Sequence, residues 1–254
     1  MVEFSIITLT FNNPLELKRT IRNIINQDFL FYELIIINGG SNIESKEYLD
    51  SITDKRIRVI SEKDNGIYDA MNKGLSNAKN DFIIFMNSGD IFFSKKTLSL
   101  IAKELNKNDV LFIYGDSNEL DSDNNIYYKK ARNVKLKITG MFTHHQSMVY
   151  SRKIIENNGI RYDTKYKIAS DYDFTLNFLN KINYEAIIKI NQPICTFSLN
   201  GISSKQNMIG FYEQKSIKKK YFNNSLVFVI TILQYFILKI RVNYPWLYKF
   251  YRYK

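Results

Sequence analysis

The sequence predicts an α/β protein: a Rossmann-like mixed sheet, mainly parallel, flanked by helices. Three observations carry that expectation. Apolar, β-branched runs alternate with amphipathic stretches of about ten residues through the first part of the chain, the pattern of βαβ units. The run Phe82–Met86 is apolar without alternation, as in a strand covered on both faces. Each run stops at a small polar cluster: Asn12-Asn13-Pro14, Gly39-Gly40-Ser41, Asp64-Asn65-Gly66 and Asn87-Ser88-Gly89-Asp90. Right-handed crossovers bring such clusters to the carboxyl edge of the sheet, where open α/β folds bind ligands.

The elements follow in order. Phe4–Thr10 is the first strand. Asn13 caps a helix that has Pro14 at its first position, Glu16 in its first turn and Leu17, Ile21, Ile24 and Ile25 on one face. A strand over Glu33–Asn38 leads to a helix over Ile43–Ser51, and a strand over Ile57–Ser61 leads to an amphipathic helix over Tyr68–Ala78. The strand Phe82–Met86 precedes a helix over Thr97–Leu105. The second half is more mixed: a strand Leu111–Tyr114, a hairpin-like segment around Asp121–Asn125, a strand Ser147–Tyr150, a helix from Ser170, and strands over Tyr184–Ile190 and Ile194–Ser198.

A chain of 254 residues that is 45% hydrophobic can bury one substantial core, so disorder is excluded. Cys195 is the single cysteine, which excludes an internal disulfide and reads as an inert core thiol in a reducing compartment. No secretory signal pattern opens the chain. The formal net charge is +11, but residues 214–254 hold nine basic residues and no acid, which leaves +2 for residues 1–213. The basicity therefore marks the tail, not a nucleic-acid surface. The tail also holds thirteen uncharged residues, Leu226–Leu238, followed by Tyr244, Trp246, Tyr248, Tyr251 and Tyr253. That run is shorter than the roughly 20 residues needed to span a bilayer, so the expectation is a helix lying in or dipping into the membrane interface with basic and aromatic anchors, the alternative being a buried core helix with a basic end.

No G-x-G-x-x-G follows the first strand and no P-loop motif occurs, which argues against dinucleotide oxidoreductases and P-loop NTPases. Asp90, at the end of the fourth-strand loop, is a hard oxygen donor of the kind that shares Mg²⁺ or Mn²⁺ with substrate phosphates. Asp171 and Asp173 open a helix, and Ser170 with Asp173 has capping-box spacing. His144-His145 lacks a third ligand in sequence reach, so it is not read as a metal site, and at most one of the two is expected to face the cleft.

Thr8-Leu9-Thr10-Phe11-Asn12, Asn38-Gly39-Gly40-Ser41, Asp64 through Gly74, Phe85 through Asp90, His145-Gln146-Ser147, Ser170 through Phe174 and Phe197 through Ser203 together resemble the successive signatures of family 2 glycosyltransferases with the GT-A fold. The likeness covers about residues 3–204 and is closest to the subgroup that builds bacterial O-antigens, capsules and exopolysaccharides. It implies a glycosyltransferase domain over 1–213, with a nucleotide-sugar half over about 1–116 and an acceptor half over 117–213, followed by the tail 214–254. It implies that Thr8, Thr10, Asn12, Asn38, Ser41, Asp64, Asn72, Asn87 and Ser88 surround the nucleotide-sugar. Asp90 then holds Mn²⁺ or Mg²⁺, and His145, Gln146 and Asp173 contact acceptor or diphosphate. Asn87 replaces the first acid of the family's D-x-D, Asn38 stands where an acid often meets the uracil, and Ser170-Asp171 matches the E-D pair whose Asp is the base.

The implied reaction is inverting transfer of a hexose or N-acetylhexosamine from a UDP-sugar to a saccharide on an undecaprenyl pyrophosphate type lipid, carried out at the cytoplasmic face of the bacterial inner membrane by a peripheral enzyme. The implied product linkage is β. Two rivals stand beside it: a non-catalytic, membrane-bound nucleotide-sugar scaffold, and a sugar nucleotidylyltransferase, whose characteristic glycine- and lysine-containing loop is missing after the first strand. Monomer and homodimer both stay open.

Overall fold

A computed structural model describes residues 2–107, 109–199, 207–244, 246 and 252. The chain begins β1 (Phe4–Thr10), α1 (Pro14–Ile25), β2 (Tyr32–Asn38), α2 (Ile43–Asp50), β3 (Ile57–Ser61), α3 (Ile67–Asn77), β4 (Phe82–Phe85). Three crossover helices return the chain to parallel strands, in the order β3-β2-β1-β4. The loops after these four strands therefore share one edge, as the sequence led one to expect. At α1, the Asn13 side chain accepts from the Glu16 backbone N–H at 3.3 Å and Pro14 opens the helix.

After β5 (Ile91–Phe92) and α4 (Thr97–Leu105) the sheet becomes mixed. β8 (Met148–Ser151) lies between β4 and β6 (Phe112–Leu120), runs antiparallel to both and leads into the short α5 (Arg152–Asn157). β7 (Ile126–Lys129) folds back on β6, closing the predicted hairpin. Among the described residues nine strands join in one sheet, ordered β3-β2-β1-β4-β8-β6-β9-β5, β9 being Ile187–Ser198, with β7 beside β6. Where two strands were expected, β9 (Ile187–Ser198) is one, parallel to β6 with register shifts opposite Pro193. Proline cannot donate to a ladder, so the irregularity absorbs it without ending the strand.

The apolar residues of the strands divide between two cores, one on each face of the sheet. Ile7, Ile35, Ile83 and Phe112 point to one, and Ile6, Ile36, Ile84 and Ile113 to the other. This two-faced burial explains the unbroken apolar runs. Cys195 is fully buried, as expected.

The tail forms α7 (Asn207–Tyr221) and α8 (Asn224–Asn243), joined by a short turn. α7 packs on α6 (Ser170–Leu179) through Ile217, Tyr166, Tyr172 and Leu176. Lys218 donates to Gln234, and Gln234 donates to the Thr139 carbonyl at 2.7 Å, so α8 is tied to the domain along one seam. Farther along, Arg252 pairs with the fully buried Glu119 of β6, with Nε–Oε2 at 3.0 Å. Among the described residues, no helix is long and apolar enough to cross a membrane. Residues 200–206 and most of 245–254 lie outside the described residues, and with them Gly201 to Ser203 of the motif above and the aromatic anchors Tyr248, Tyr251 and Tyr253.

Candidate active site

Four loops meet at the carboxyl edge. Asn12, after β1, takes a left-handed backbone (φ 52°), and its Oδ1 accepts from the Ser41 and Asn42 N–H groups, each at 2.9 Å. Asn38, at the end of β2, is buried, donates to Ser61 Oγ at 3.3 Å and accepts from Gly40 N at 3.2 Å. Asp64, after β3, accepts from Gly66 N at 3.0 Å and presses its carboxylate against Gly39, where an added Cβ would come within 1.8 Å of Oδ2. Only glycine lets these two loops approach so closely. Thr10, Asn12, Asn38, Ser41 and Asp64 are thus gathered on adjacent loops.

The turn after β4 completes the group. Ser88 N donates to the Leu9 carbonyl at 3.0 Å, which sets the turn beside the end of β1. Gly89 takes φ 96°, and Thr20 clamps the turn by accepting from Gly89 N at 2.9 Å and donating to the Asp90 carbonyl at 2.8 Å. Thr10 Oγ1, Asn87 Oδ1 and Ser88 Oγ are buried polar atoms without a hydrogen-bond partner. Buried polar groups are nearly always paired, so three orphans at neighbouring strand ends mark a place built for a ligand.

Asp171 lies in the first turn of α6. Its Oδ1 accepts from Tyr172 N at 2.8 Å, and burial raises its pKa to about 6. The Tyr68 hydroxyl, in the first turn of α3, lies against the backbone N–H groups of Ser170 and Asp171. Tyr68 stacks on Tyr162, and Tyr162 on Phe174, with ring centroids 5.7 and 4.3 Å apart. This stack sets α6 beside the loop that carries Asp64. The approach to α6 is held by Glu213 of α7, whose carboxylate accepts from Lys167 N at 2.8 Å and from Ile168 and Ala169 N at 2.9 Å each. Nothing local in the sequence points to Glu213, which lies 44 residues from Ala169.

Several expected site residues have other roles. Thr8 is fully buried and donates to the Met86 carbonyl at 2.8 Å, so it braces β1 on β4 and does not line an open pocket. Asn72 spends both side-chain groups on the Tyr162 backbone, each at 2.9 Å. His144 and His145 enter a 3-10 turn, His145–Ser147, and not a strand. His145 is enclosed by Phe85, Tyr150, Tyr162 and Phe174, its ring nitrogens meet the Tyr150 and Tyr162 hydroxyls at 3.2 and 2.7 Å, and burial pulls its pKa down to about 3. It is a neutral core histidine. His144 turns the other way, stacking on Phe197 and meeting Glu119 at 2.7 Å. The capping box does not form: Ala169 is the cap residue, Ser170 Oγ has no partner, and Asp173 is occupied by Lys220 at 3.0 Å and Tyr221 at 3.1 Å. Asp173 therefore anchors α7.

Asp90 also departs from expectation. It is 4% exposed, its Oδ2 accepts from Gln146 Nε2 at 2.7 Å and its Oδ1 from Ser198 N at 3.0 Å. Burial raises its pKa to about 7. In this arrangement each Asp90 oxygen is already taken by one protein donor. Among the described residues, no three His, Cys, Asp or Glu side chains converge on a metal-sized point. Asp90 and Gln146 thus form a brace between the β4 turn, the 3-10 turn and the end of β9, and the turn's unpartnered oxygens are the neutral Asn87 Oδ1 and Ser88 Oγ.

The family model described as glycosyl transferase family 2 matches residues 5–159. Among similar proteins, a PGL/p-HBAD biosynthesis glycosyltransferase of Mycobacterium bovis is 25% identical over 177 residues, 68% of each chain. The Staphylococcus aureus poly(ribitol-phosphate) beta-N-acetylglucosaminyltransferase TarP is 28% identical over 209 residues, covering 75% of this chain and 64% of TarP. Among solved structures, S. aureus TarS 1–349 in complex with UDP-GlcNAc aligns with a TM-score of 0.73 at 15% identity, over 95% of this chain and 74% of that one. The mannosyltransferase PcManGT of Pyrobaculum calidifontis, in complex with GDP-Man and Mn²⁺, aligns at 0.60 and 13% identity, over 95% and 75%. These likenesses show the fold, a GT-A type mixed sheet flanked by helices.

Proposed function

The chain belongs to glycosyl transferase family 2, and on that premise we propose that it moves a hexose or N-acetylhexosamine from a UDP-sugar, with inversion, to a lipid-linked saccharide in bacterial surface polysaccharide assembly. The observation that carries this reading is Asp171, a carboxylate whose pKa burial raises to about 6, on a helix start that the stack of Tyr68, Tyr162 and Phe174 sets beside the Asp64 loop, with unpartnered polar atoms at the ends of β1 and β4. A base with its pKa close to the working pH is both deprotonated and strong enough to pull on an alcohol. The donor fits the edge: Asn38 and Asp64 at the nucleoside, Thr10, Asn12 and Ser41 around the ribose and phosphates, Asn87 and Ser88 at the diphosphate. The named activity of TarP supports an N-acetylhexosamine and a β-linkage.

Transfer is one in-line displacement. The acceptor hydroxyl gives its proton to Asp171 as its oxygen bonds to the anomeric carbon, and the bond from that carbon to the diphosphate oxygen breaks, releasing UDP. Tyr68 and Glu213 hold the loop that sets Asp171. A lipid-linked acceptor of the undecaprenyl pyrophosphate type places the enzyme at the cytoplasmic leaflet, where the 1–213 domain meets its substrate and the 214–254 segment faces the membrane.

The test is a reaction of the full chain with a panel of UDP-sugars and a synthetic GlcNAc- or GalNAc-pyrophosphate-lipid, read by mass spectrometry. One UDP-sugar is expected to lengthen the lipid by a single sugar. UDP binding with no transfer from any donor to either acceptor refutes the proposed acceptor class. Calorimetry of UDP with and without Mn²⁺ decides whether the donor brings an ion to the Asn87 and Ser88 oxygens.

A further inference from the structure

α8 is apolar almost all round, yet it touches the domain along one narrow seam. Val227, Thr231 and Gln234 face inward, while Leu226, Phe228, Val229, Ile232, Leu233, Phe236, Ile237 and Ile240 are each at least 41% exposed. A helix of this kind is at home inside a core or in lipid, not in water. Beside it, a groove between α7 and α8 holds two adjoining cavities of about 450 and 300 Å³ that share Lys215 and Phe228. Lys215 and Lys219 stand one helical turn apart at one end, and Phe211, Tyr235 and Phe236 wall the other. No described carboxylate pairs with either lysine, and residues 214–254 contain no acid.

Resting on the reading that the 214–254 segment faces the membrane, we propose that this groove binds the phosphate head of an anionic phospholipid, with the outward face of α8 lying in the acyl layer of the same leaflet. The two ends of the groove match the two ends of such a lipid: paired ammonium groups for the phosphate, aromatic walls for the first part of a chain. Charge complementarity selects the occupant. A second copy of the chain would bring like-charged lysines together, and a nucleic acid would leave the aliphatic face of α8 in water. With about 30 Å of helix and lysines at the groove end, α8 suits an interfacial position. α7 also carries Glu213, so the docked surface is rigidly connected to the loop that sets Asp171.

The test is co-sedimentation of the full chain with vesicles of phosphatidylcholine alone or mixed with phosphatidylglycerol. Wild type is expected to prefer the anionic vesicles. Lys215→Ala/Lys219→Ala is expected to lower that binding about 30-fold at low salt, from roughly fivefold per lysine, with unchanged melting. Leu233→Asp/Phe236→Asp is expected to abolish binding to both vesicles. A control pair far from the groove, Lys46→Ala/Lys103→Ala, is expected to bind as wild type. Equal wild-type binding to the two vesicles overturns the proposal, as does an equal loss in the groove and control pairs. Release by inorganic phosphate beyond that by chloride of matched ionic strength would make the groove an ion site and not a lipid site. A lipid-free dimer dissolved by Leu233→Asp/Phe236→Asp would assign the face to a second copy.

Discussion

Glu213→Ala is the most informative single change in the site. The Glu213 carboxylate is the acceptor for three successive backbone N–H groups, those of Lys167, Ile168 and Ala169, immediately before α6. Hydrogen bonds to a charged group are worth about 1.5–3 kcal/mol each and do not add fully, so losing all three should cost roughly 2–4 kcal/mol. For a domain of this size that lowers the melting temperature by about 4–16 °C. Glutamine discriminates further. Its carbonyl can replace Oε2 and keep the Ile168 and Ala169 bonds, but its amide then faces the Lys167 N–H, donor against donor. Stability should therefore fall in the order Glu, Gln, Ala. Because the same backbone leads into Asp171, turnover should follow the same order, down by about 10–100-fold in the alanine variant, with donor KM little changed. Thermal melting and steady-state kinetics of the three proteins test this. An alanine variant that melts and turns over like wild type would refute the idea that α7 positions the base.

Asp171→Asn should keep the fold and UDP binding but lower turnover by about 10²–10⁴-fold; a near-wild-type rate removes Asp171 as base. In wild type, Asp171 must be deprotonated to work, so turnover should rise as pH climbs through about 6 and then level off; a pH profile without that acid limb refutes the assignment. Asp90→Asn should cost less than about 2 kcal/mol, since an amide still accepts from Ser198 N while the Gln146 amide flips to meet it. UDP binding should respond to Mn²⁺ as in wild type, and loss of that response alone would return Asp90 to the role of metal ligand. Asn72→Ala removes two bonds to the Tyr162 backbone and should lower stability by about 2 kcal/mol in chemical denaturation; unchanged stability would show that Asn72 is free for the donor.

Much of the first half was legible in the sequence because its signals are local. Apolar runs, an Asn-Pro helix start and glycine-containing clusters reflect backbone preferences that act over a few residues, and they placed β1 to β4, their helices and the shared loop edge correctly. Side-chain roles in the second half were less legible. His145, Gln146, Asp173 and Asn72 carry the residue types of a site, yet each is satisfied by a partner far along the chain: Tyr162, Asp90, Lys220 and again Tyr162. No periodicity encodes such pairings. The continuity of β9 through Pro193 shows the converse, a strong local breaker tolerated because the pairing with β6 resumes beyond it.

By itself, then, the sequence determined the parallel α/β half, the carboxyl-edge loops, the presence of Asp171 at a helix start and a basic, apolar tail, since all of these follow from composition and short-range pattern. Tertiary structure alone decided which polar residues stay open to a ligand and which are spent as braces. It closed Asp90 and His145 inside the protein, left Thr10, Asn87 and Ser88 without partners, and brought Glu213 to the base loop. Whether a polar group is available depends on what the fold packs against it, and burial and hydrogen bonding across long chain separations are not written in any local stretch.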